Sequence, residues 1–230
     1  MIAAPRFVFL HLHKSGGTFV NECLLRFVPG ARQLGYHLPR SALPPGSADL
    51  PVLGFVRNPW SYYVSWYAFQ SARAQPNPLF QVLSDAGRLG FAGTIGNMLN
   101  LGSNGELLEA VLAALPDRYT NRGINLPAFA LAPIRNSGLG FYAYLYEYMF
   151  GSGGRLQIGR MESLRTDLLG MLEAVGEPVG DDLRRHVRDT APSNVSEHRD
   201  YAEYYDTALR DLVAARDAPL IERHRYRFSA

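Results

Sequence analysis

Two hydrophobic periods alternate along this chain. Phe7 to His13, FVFLHLH, is apolar and β-favouring and reads as a short buried strand. Thr18 to Val28 then carries Phe19, Cys23, Leu24 and Phe27 at the spacing of one helix face, and Pro29-Gly30 stops that helix. A loop with Pro39, Pro44, Pro45 and Pro51 leads into a second apolar run, Val52 to Val56. It ends in Arg57-Asn58-Pro59, where asparagine caps a helix and proline occupies its first turn. The first quarter of the chain thus reads twice as strand, loop, helix.

Further along, Ser103 and Glu106 have the form of a capping box before a helix with Leu107, Leu108, Val111, Leu112 and Leu115 on its core face. Leu156 to Met161 reads as a third buried strand. Leu164, Leu168, Met171, Leu172 and Val175 follow at helical spacing, with Gly176 as the stop. Tyr201, Tyr204, Tyr205, Ala208, Leu209, Leu212 and Val213 mark one C-terminal amphipathic helix. The tyrosines of FYAYLYEYMF at 141–150 alternate as in a strand, yet Phe141, Leu145, Tyr148 and Met149 also line a helix, which is the reading adopted. Strands alternating with helices imply an α/β fold with a central, mostly parallel sheet covered on both faces.

Composition narrows the function classes. The chain has 230 residues, 47% hydrophobic and 19% charged, without repeats or linker-like tracts, so a single domain is expected over 1–230. A formal net charge of +2 falls far short of a general nucleic-acid binder, so no nucleic-acid partner is expected and any anion site must be local. The lone cysteine, Cys23, has no internal disulfide partner and belongs to the helix core, which suits a reducing compartment. No run approaches the roughly 18 apolar residues of a membrane span, and the first strand begins too early for a signal peptide ahead of it, so a cytoplasmic protein is expected.

Candidate chemistry begins at residues 11–19, HLHKSGGTF. Lys14 is the only lysine among 23 basic residues. A loop between a parallel strand and its helix lies at the carboxyl edge of the sheet, where open α/β proteins bind ligands. The helix start offers unpaired N–H groups and a positive dipole end. Gly16 and Gly17 let backbone approach a ligand, Ser15 and Thr18 add hydroxyls, and Lys14 adds a compact charge, which together suit phosphate or sulfate. The alternative is a tight turn with a solvated lysine. The second junction, GFVRNPWSYYVSWY, weighs against it. There Arg57 ends a strand and Ser65 follows eight residues on, an arginine fork and a hydroxyl fit for a second phosphate at the same edge.

These two elements resemble those of sulfotransferases that use 3′-phosphoadenosine 5′-phosphosulfate, in which K-[ST]-G-[GT]-T after the first strand grips the 5′-phosphosulfate and R-[ND]-P-x(5)-S binds the 3′-phosphate. LQIGRMESLRTDL at 156–168 and NVSEHRDYAEYY at 194–205 are similar to further family segments, and HKSGGT with RNPW-x(4)-SWY resembles the carbohydrate-type and related bacterial branch. The likeness is poor over 68–150, where acceptor specificity is expected, beside a cofactor-binding core over 6–67 and 155–230. The resemblance implies a P-loop-like sulfotransferase fold, a three-layer sandwich. It also implies transfer of the sulfuryl group to a hydroxyl of a small-molecule or saccharide acceptor, releasing adenosine 3′,5′-bisphosphate (PAP). By this resemblance Lys14 meets the bridging oxygen, backbone N–H groups from Ser15 to Phe19 through Gly16, Gly17 and Thr18 hold the 5′-phosphate, and Arg57 with Ser65 holds the 3′-phosphate. Asn194 and Ser196 face the far side of the cofactor. The basic triplet of the phenol-type enzymes is absent, with Arg188 and Arg199 as stand-ins.

A general base must take the acceptor's proton, and histidine, with an ordinary pKa of roughly 6.5, fits. His37, between the two cofactor elements in LGYHLPR, is the first choice, where carbohydrate-type relatives also carry a functional histidine; the alternative is a turn histidine. His11 and His13 share one face of the first strand, at least one of them structural, and His198 is a loop candidate. No metal-ligand spacing is present among six histidines and one cysteine, so no metal is expected. Trp60, Trp66 and the tyrosines of 142–148 are stacking surfaces or core. Two rival classes remain. One is a P-loop kinase or NTPase, whose glycines precede the lysine and whose magnesium-holding aspartate is missing after Val52 to Val56. The other is a noncatalytic nucleotide-binding module.

Overall fold

A five-stranded sheet carries the first junction. The computed structural model describes residues 1–191 and 198–229. Its strands are β1 (Ile2–Ala3), β2 (Val8–Leu10), β3 (Arg32–Gln33), β4 (Val52–Val56) and β5 (Leu156–Arg160), in the order β3-β1-β2-β4-β5. β2, β4 and β5 are parallel, in register Val8↔Val52, Leu10↔Gly54, Gly54↔Ile158 and Val56↔Arg160. β1 is antiparallel to both β2 and β3, so four of the five strands share one direction. The helices are α1 (Gly17–Phe27), α2 (Pro59–Ser71), α3 (Pro78–Leu83), α4 (Phe91–Leu99), α5 (Gly105–Ala114), α6 (Ala128–Leu131), α7 (Phe141–Phe150), α8 (Leu164–Ala174), α9 (Asp181–Asp189), α10 (Thr207–Arg216) and α11 (Ala218–His224). The chain divides into two units, one of residues 1–57 and 147–195 and the other of 58–146 and 196–230.

The first unit is the sheet with its flanking helices. On one face Phe7, Phe9, Leu53 and Phe55 pack against Phe19, Cys23 and Leu24 of α1, Leu168 and Leu172 of α8, and Leu183 and Val187 of α9. Each fully buried side chain of this kind contributes about 1.5–3 kcal/mol. Strand alternation sends the intervening residues to the opposite face. Two glycines adapt these faces to aromatic rings. A Cβ at Gly159 would lie 2.6 Å from the Phe55 ring, and one at Gly54 would lie 2.3 Å from Phe150.

In the second unit, α2 begins as the sequence implied: the Asn58 side chain accepts the Trp60 N–H at 3.1 Å, and Pro59 takes the first helical position. Tyr62 stacks on Tyr142 at 3.7 Å, and Trp66 packs against Phe80. Trp60, Trp66, Tyr142, Tyr144 and Tyr146 are all buried as core. Asp217 organises this interior. Fully buried, its carboxylate accepts the Tyr63 hydroxyl at 2.8 Å and the Ala143 N–H at 2.9 Å, while Tyr63 Oη accepts the Tyr142 N–H at 3.2 Å. Gly140 leaves it room, since a Cβ there would fall 2.5 Å from the carboxylate. Burial pushes the Asp217 carboxyl up to about 7.

Several boundaries differ from the sequence expectations. The strand expected over Phe7 to His13 pairs only through Leu10, because His11 turns its carbonyl to His37 instead of a neighbouring strand. The cap of α5 is Asn104, which accepts the Leu107 N–H at 3.1 Å; Ser103 ends a short 3-10 turn before it. The single helix expected from Tyr201 splits. A 3-10 turn spans Tyr201–Tyr204, Tyr205 is extended, and Asp206 caps a new helix through the Leu209 N–H at 2.7 Å. Residues 141–150 are helical. Among the described residues no helix is long and apolar enough to cross a membrane.

Asp217→Ala removes both acceptors and leaves the Ala143 N–H buried without a partner, so it should lower unfolding free energy by about 2–4 kcal/mol. Urea denaturation measures this, and a loss below about 0.5 kcal/mol would contradict the organising role given to the carboxylate.

Candidate functional site

After β2 the backbone makes an unusual turn. Lys14 adopts φ 58 and Gly16 φ 76, both left-handed, before α1 starts at Gly17. For glycine this costs little, whereas a lysine held there is strained and persists only where its surroundings fix it. The glycines also answer to packing. A Cβ at Gly17 would lie 2.0 Å from the His11 ring, and one at Gly16 would meet Leu164 of α8 at 2.2 Å. Loop, strand end and α8 are therefore fitted to one another at two positions where no side chain can intervene.

No side chain caps α1, and its first turn contains no acidic residue. The start of the helix, at the positive end of its dipole, thus carries no side-chain cap. Ser15 is buried, with its hydroxyl donating a long hydrogen bond to the His13 carbonyl at 3.4 Å, and Thr18 is exposed. Phe19 points its ring into the core, where the Arg165 guanidinium lies 5.3 Å over it and the His186 ring stacks at 6.2 Å. Arg165 also donates to the carbonyls of Val187, Arg188 and Thr190 at the end of α9. This clamp was not legible in the sequence, since cation, ring and carbonyls lie on three separate elements.

Two cations meet at this edge. Burial first, and the charge of Arg57 second, pull the Lys14 ammonium down to about 8. Arg57 directly follows β4, the parallel neighbour of β2. The fold therefore brings together the loop from Lys14 to Phe19 with Arg57.

His37 joins them. It too is left-handed, with φ 48, and its ring centroid lies 4.4 Å from His11 and 5.3 Å from His13. His37 Nδ1 donates to the His11 carbonyl at 2.8 Å. That bond fixes the tautomer and leaves a lone pair on Nε2. The His11 ring has its own partner, Asn21 Nδ2 at 3.4 Å from Nδ1. His13 Nδ1, in contrast, is sealed from solvent without a hydrogen-bond partner. All three imidazoles are held neutral: burial pulls His37 down to about 4, and burial with neighbouring positive charge pulls His11 and His13 well below the ordinary histidine range. Among the described residues no three His, Cys, Asp or Glu side chains are arranged to hold a metal ion, this cluster included.

Other sequence candidates lie elsewhere. Ser65 belongs to the second unit, buried in α2. His198 is in a loop, its Nδ1 2.7 Å from the Arg199 carbonyl, and Arg199 pairs with Glu203 at 3.2 Å. Arg188 pairs with its neighbour Asp189 at 2.7 Å. Asn194 and Ser196 lie outside the described residues.

The neutral imidazoles set a direction for acid stability. Unfolded, each takes a proton near pH 6.5; folded, His37 refuses one until about pH 4, so stability falls as pH drops through that window. His37→Asn should flatten the dependence by about one proton, roughly 1 kcal/mol per pH unit, in urea titrations across it. An unchanged slope would mean that His37 is already charged in the native protein.

No protein-family model matches the chain, and no curated protein sequence does. Among solved structures, the mouse sulfotransferase SULT7A1 complexed with PAP is similar over 97% of this chain and 85% of its own, at 14% identity and a TM-score of 0.48, a level at which the likeness decides nothing about activity.

Proposed function

We propose that this protein transfers the sulfuryl group of 3′-phosphoadenosine 5′-phosphosulfate to an acceptor hydroxyl by in-line displacement. One observation carries the reading: the K-S-G-G-T loop opens an uncapped helix at the carboxyl end of β2, and its lysine feels the charge of Arg57 at the end of the adjacent parallel strand. Two like charges held close in a partly buried site cost free energy that a polyanion would relieve. The donor set fits such a ligand without a further cation, because ammonium, guanidinium and the N–H groups of an uncapped helix start all favour negative charge.

The donor, when bound, supplies an activated sulfuryl group on a stable leaving group. Lys14 provides the compact positive charge that meets negative charge developing on the leaving side. The N–H groups of Ser15, Gly16, Gly17, Thr18 and Phe19 hold the 5′-phosphate, and Arg57 with Ser65 holds the 3′-phosphate. Asn194 and Ser196 complete the nucleotide site. His37 takes the acceptor's proton on Nε2, which its Nδ1 bond to the His11 carbonyl keeps available. The acceptor oxygen forms its bond to sulfur as the bridging bond breaks, and the proton passes to His37. The acceptor is a saccharide, a secondary metabolite or a lipid head group, bound within residues 68–150.

Calorimetry with PAP tests the site: heat of binding is expected, and none at all would sink the assignment. Lys14→Ala should lower turnover about a hundredfold or more without lowering the melting temperature, because it removes a charge that Arg57 repels and not core packing. Turnover is read with radiolabelled donor and cell extract, which also identifies the acceptor; near-normal transfer by the variant would contradict the role. The donor's kcat/KM should fall as pH rises past about 8, where the unliganded Lys14 loses its proton. A profile flat to pH 10 would separate the lysine from donor capture.

A further inference from the structure

Two consecutive residues of α8 touch the start of α1. Leu164 seats under Gly16, where a Cβ would fall 2.2 Å from its Cδ1. Arg165, next in the chain, sets its guanidinium 5.3 Å over the Phe19 ring. Among the described residues Arg165 makes no ion pair, and its N–H groups go to main-chain carbonyls at the end of α9. Nη1 donates to Val187 and, at 3.0 Å, to Arg188, while Nη2 donates to Thr190. A guanidinium committed to three neutral acceptors and a ring serves geometry: its planar fork can span them, and a single ammonium cannot.

These contacts close on themselves. Thr190 Oγ1 lies 3.1 Å from His186 Nδ1, and the His186 ring stacks on Phe19 with 4° between planes and 6.2 Å between centroids. From Arg165 the circuit runs through the Thr190 carbonyl, the Thr190 hydroxyl and the His186 imidazole to Phe19, and from Phe19 back to the guanidinium. The buried Phe19 ring of α1 is thus fixed from α8 and from α9. Main-chain bonding shows what that ring anchors. The Val20 N–H bonds back to the Gly16 carbonyl at 3.4 Å, the first rung of the helix. The Phe19 N–H stands one residue before that rung, among the four that a helix start leaves without an intrahelical acceptor.

We propose that Arg165 is a positioning residue of the anion loop: by gripping the Phe19 ring and the end of α9 together, it holds the Phe19 N–H where it meets the ligand's 5′-phosphate. The inference rests on the nucleotide reading above and concerns one end of the nucleotide only, since that reading gives the 3′-phosphate to Arg57 and Ser65. It also accounts for the phenylalanine that follows K-S-G-G-T, whose ring is the handle by which a second helix fixes the loop.

The test compares two ligands on the full chain. PAP carries both phosphates; adenosine 3′-monophosphate lacks the 5′ one. Titration calorimetry, with the weaker ligand read by competition against PAP, should show Arg165→Met weakening PAP about tenfold while adenosine 3′-monophosphate affinity stays unchanged. Arg165→Lys should weaken PAP nearly as much, because an ammonium keeps the charge and loses the fork. In a Phe19→Leu background, Arg165→Met should lower PAP affinity by less than about twofold further, since the ring it acts through is already gone. Thermal melts verify that each variant is folded, and Arg165→Gln replaces Arg165→Met if that one is not. Wild-type PAP affinity in Arg165→Met, equal weakening of both ligands, full recovery by lysine, or an undiminished loss in the Phe19→Leu background would overturn the positioning role while leaving the nucleotide site standing. Failure of the wild type to bind PAP would overturn both.

Discussion

The backbone of Gly17 lies against the imidazole of His11 so closely that a methyl group there would fall 2.0 Å from the ring. This contact fixes where α1 can begin. With the helix start pressed onto the strand end, the chain between them must turn within a few residues, and it does so through left-handed conformations at Lys14 and Gly16. The turn leaves α1 without a side-chain cap, and it brings the ammonium of Lys14 within the field of Arg57 after β4. His11 also carries the carbonyl that fixes the tautomer of His37. One glycine–imidazole contact thus underlies the loop, the open helix end and the orientation of the candidate base.

Electrostatically the site is unbalanced in the absence of ligand. Lys14 and Arg57 repel one another, while the three buried imidazoles beside them are uncharged in the resting protein. Folded proteins tolerate such frustration where function requires it. The hydrophobic face formed with α1, α8 and α9 holds the arrangement together, and Leu164 of α8 seats directly under Gly16. Helix packing and the candidate site share the same few residues here.

Much of this was legible in the sequence where a local rule governs it. The K-S-G-G-T turn, the Asn58-Pro59 helix start and the apolar run of β4 follow from residue types within a few positions of one another, whereas β5, expected as a buried strand over Leu156 to Met161, spans Leu156–Arg160 and buries only Gly159. What escaped depends on distant partners. β1 and β3 are two residues each and have no period to detect. The meeting of His11, His13 and His37 requires a fold that brings residue 37 back to the end of β2. Asn104 displaced Ser103 as a cap because both are good caps one residue apart, and the backbone after Asn100 decided between them. The aromatic residues of α2 and α7 could have lined a groove or filled a core; their burial shows the latter for Trp60, Trp66, Tyr142, Tyr144 and Tyr146.

The chemistry of Lys14 reaches beyond the role proposed for it. It is the only side-chain amine in the molecule, and its lowered proton affinity leaves a substantial fraction unprotonated in mildly alkaline buffer. Free amines acylate; ammonium ions do not. A mild acylating reagent therefore has one lysine to find besides the buried Met1 α-amine, which is itself pulled down to about 6, and the acylation rate read at Lys14 by peptide mapping becomes a direct reporter of the anion loop's occupancy.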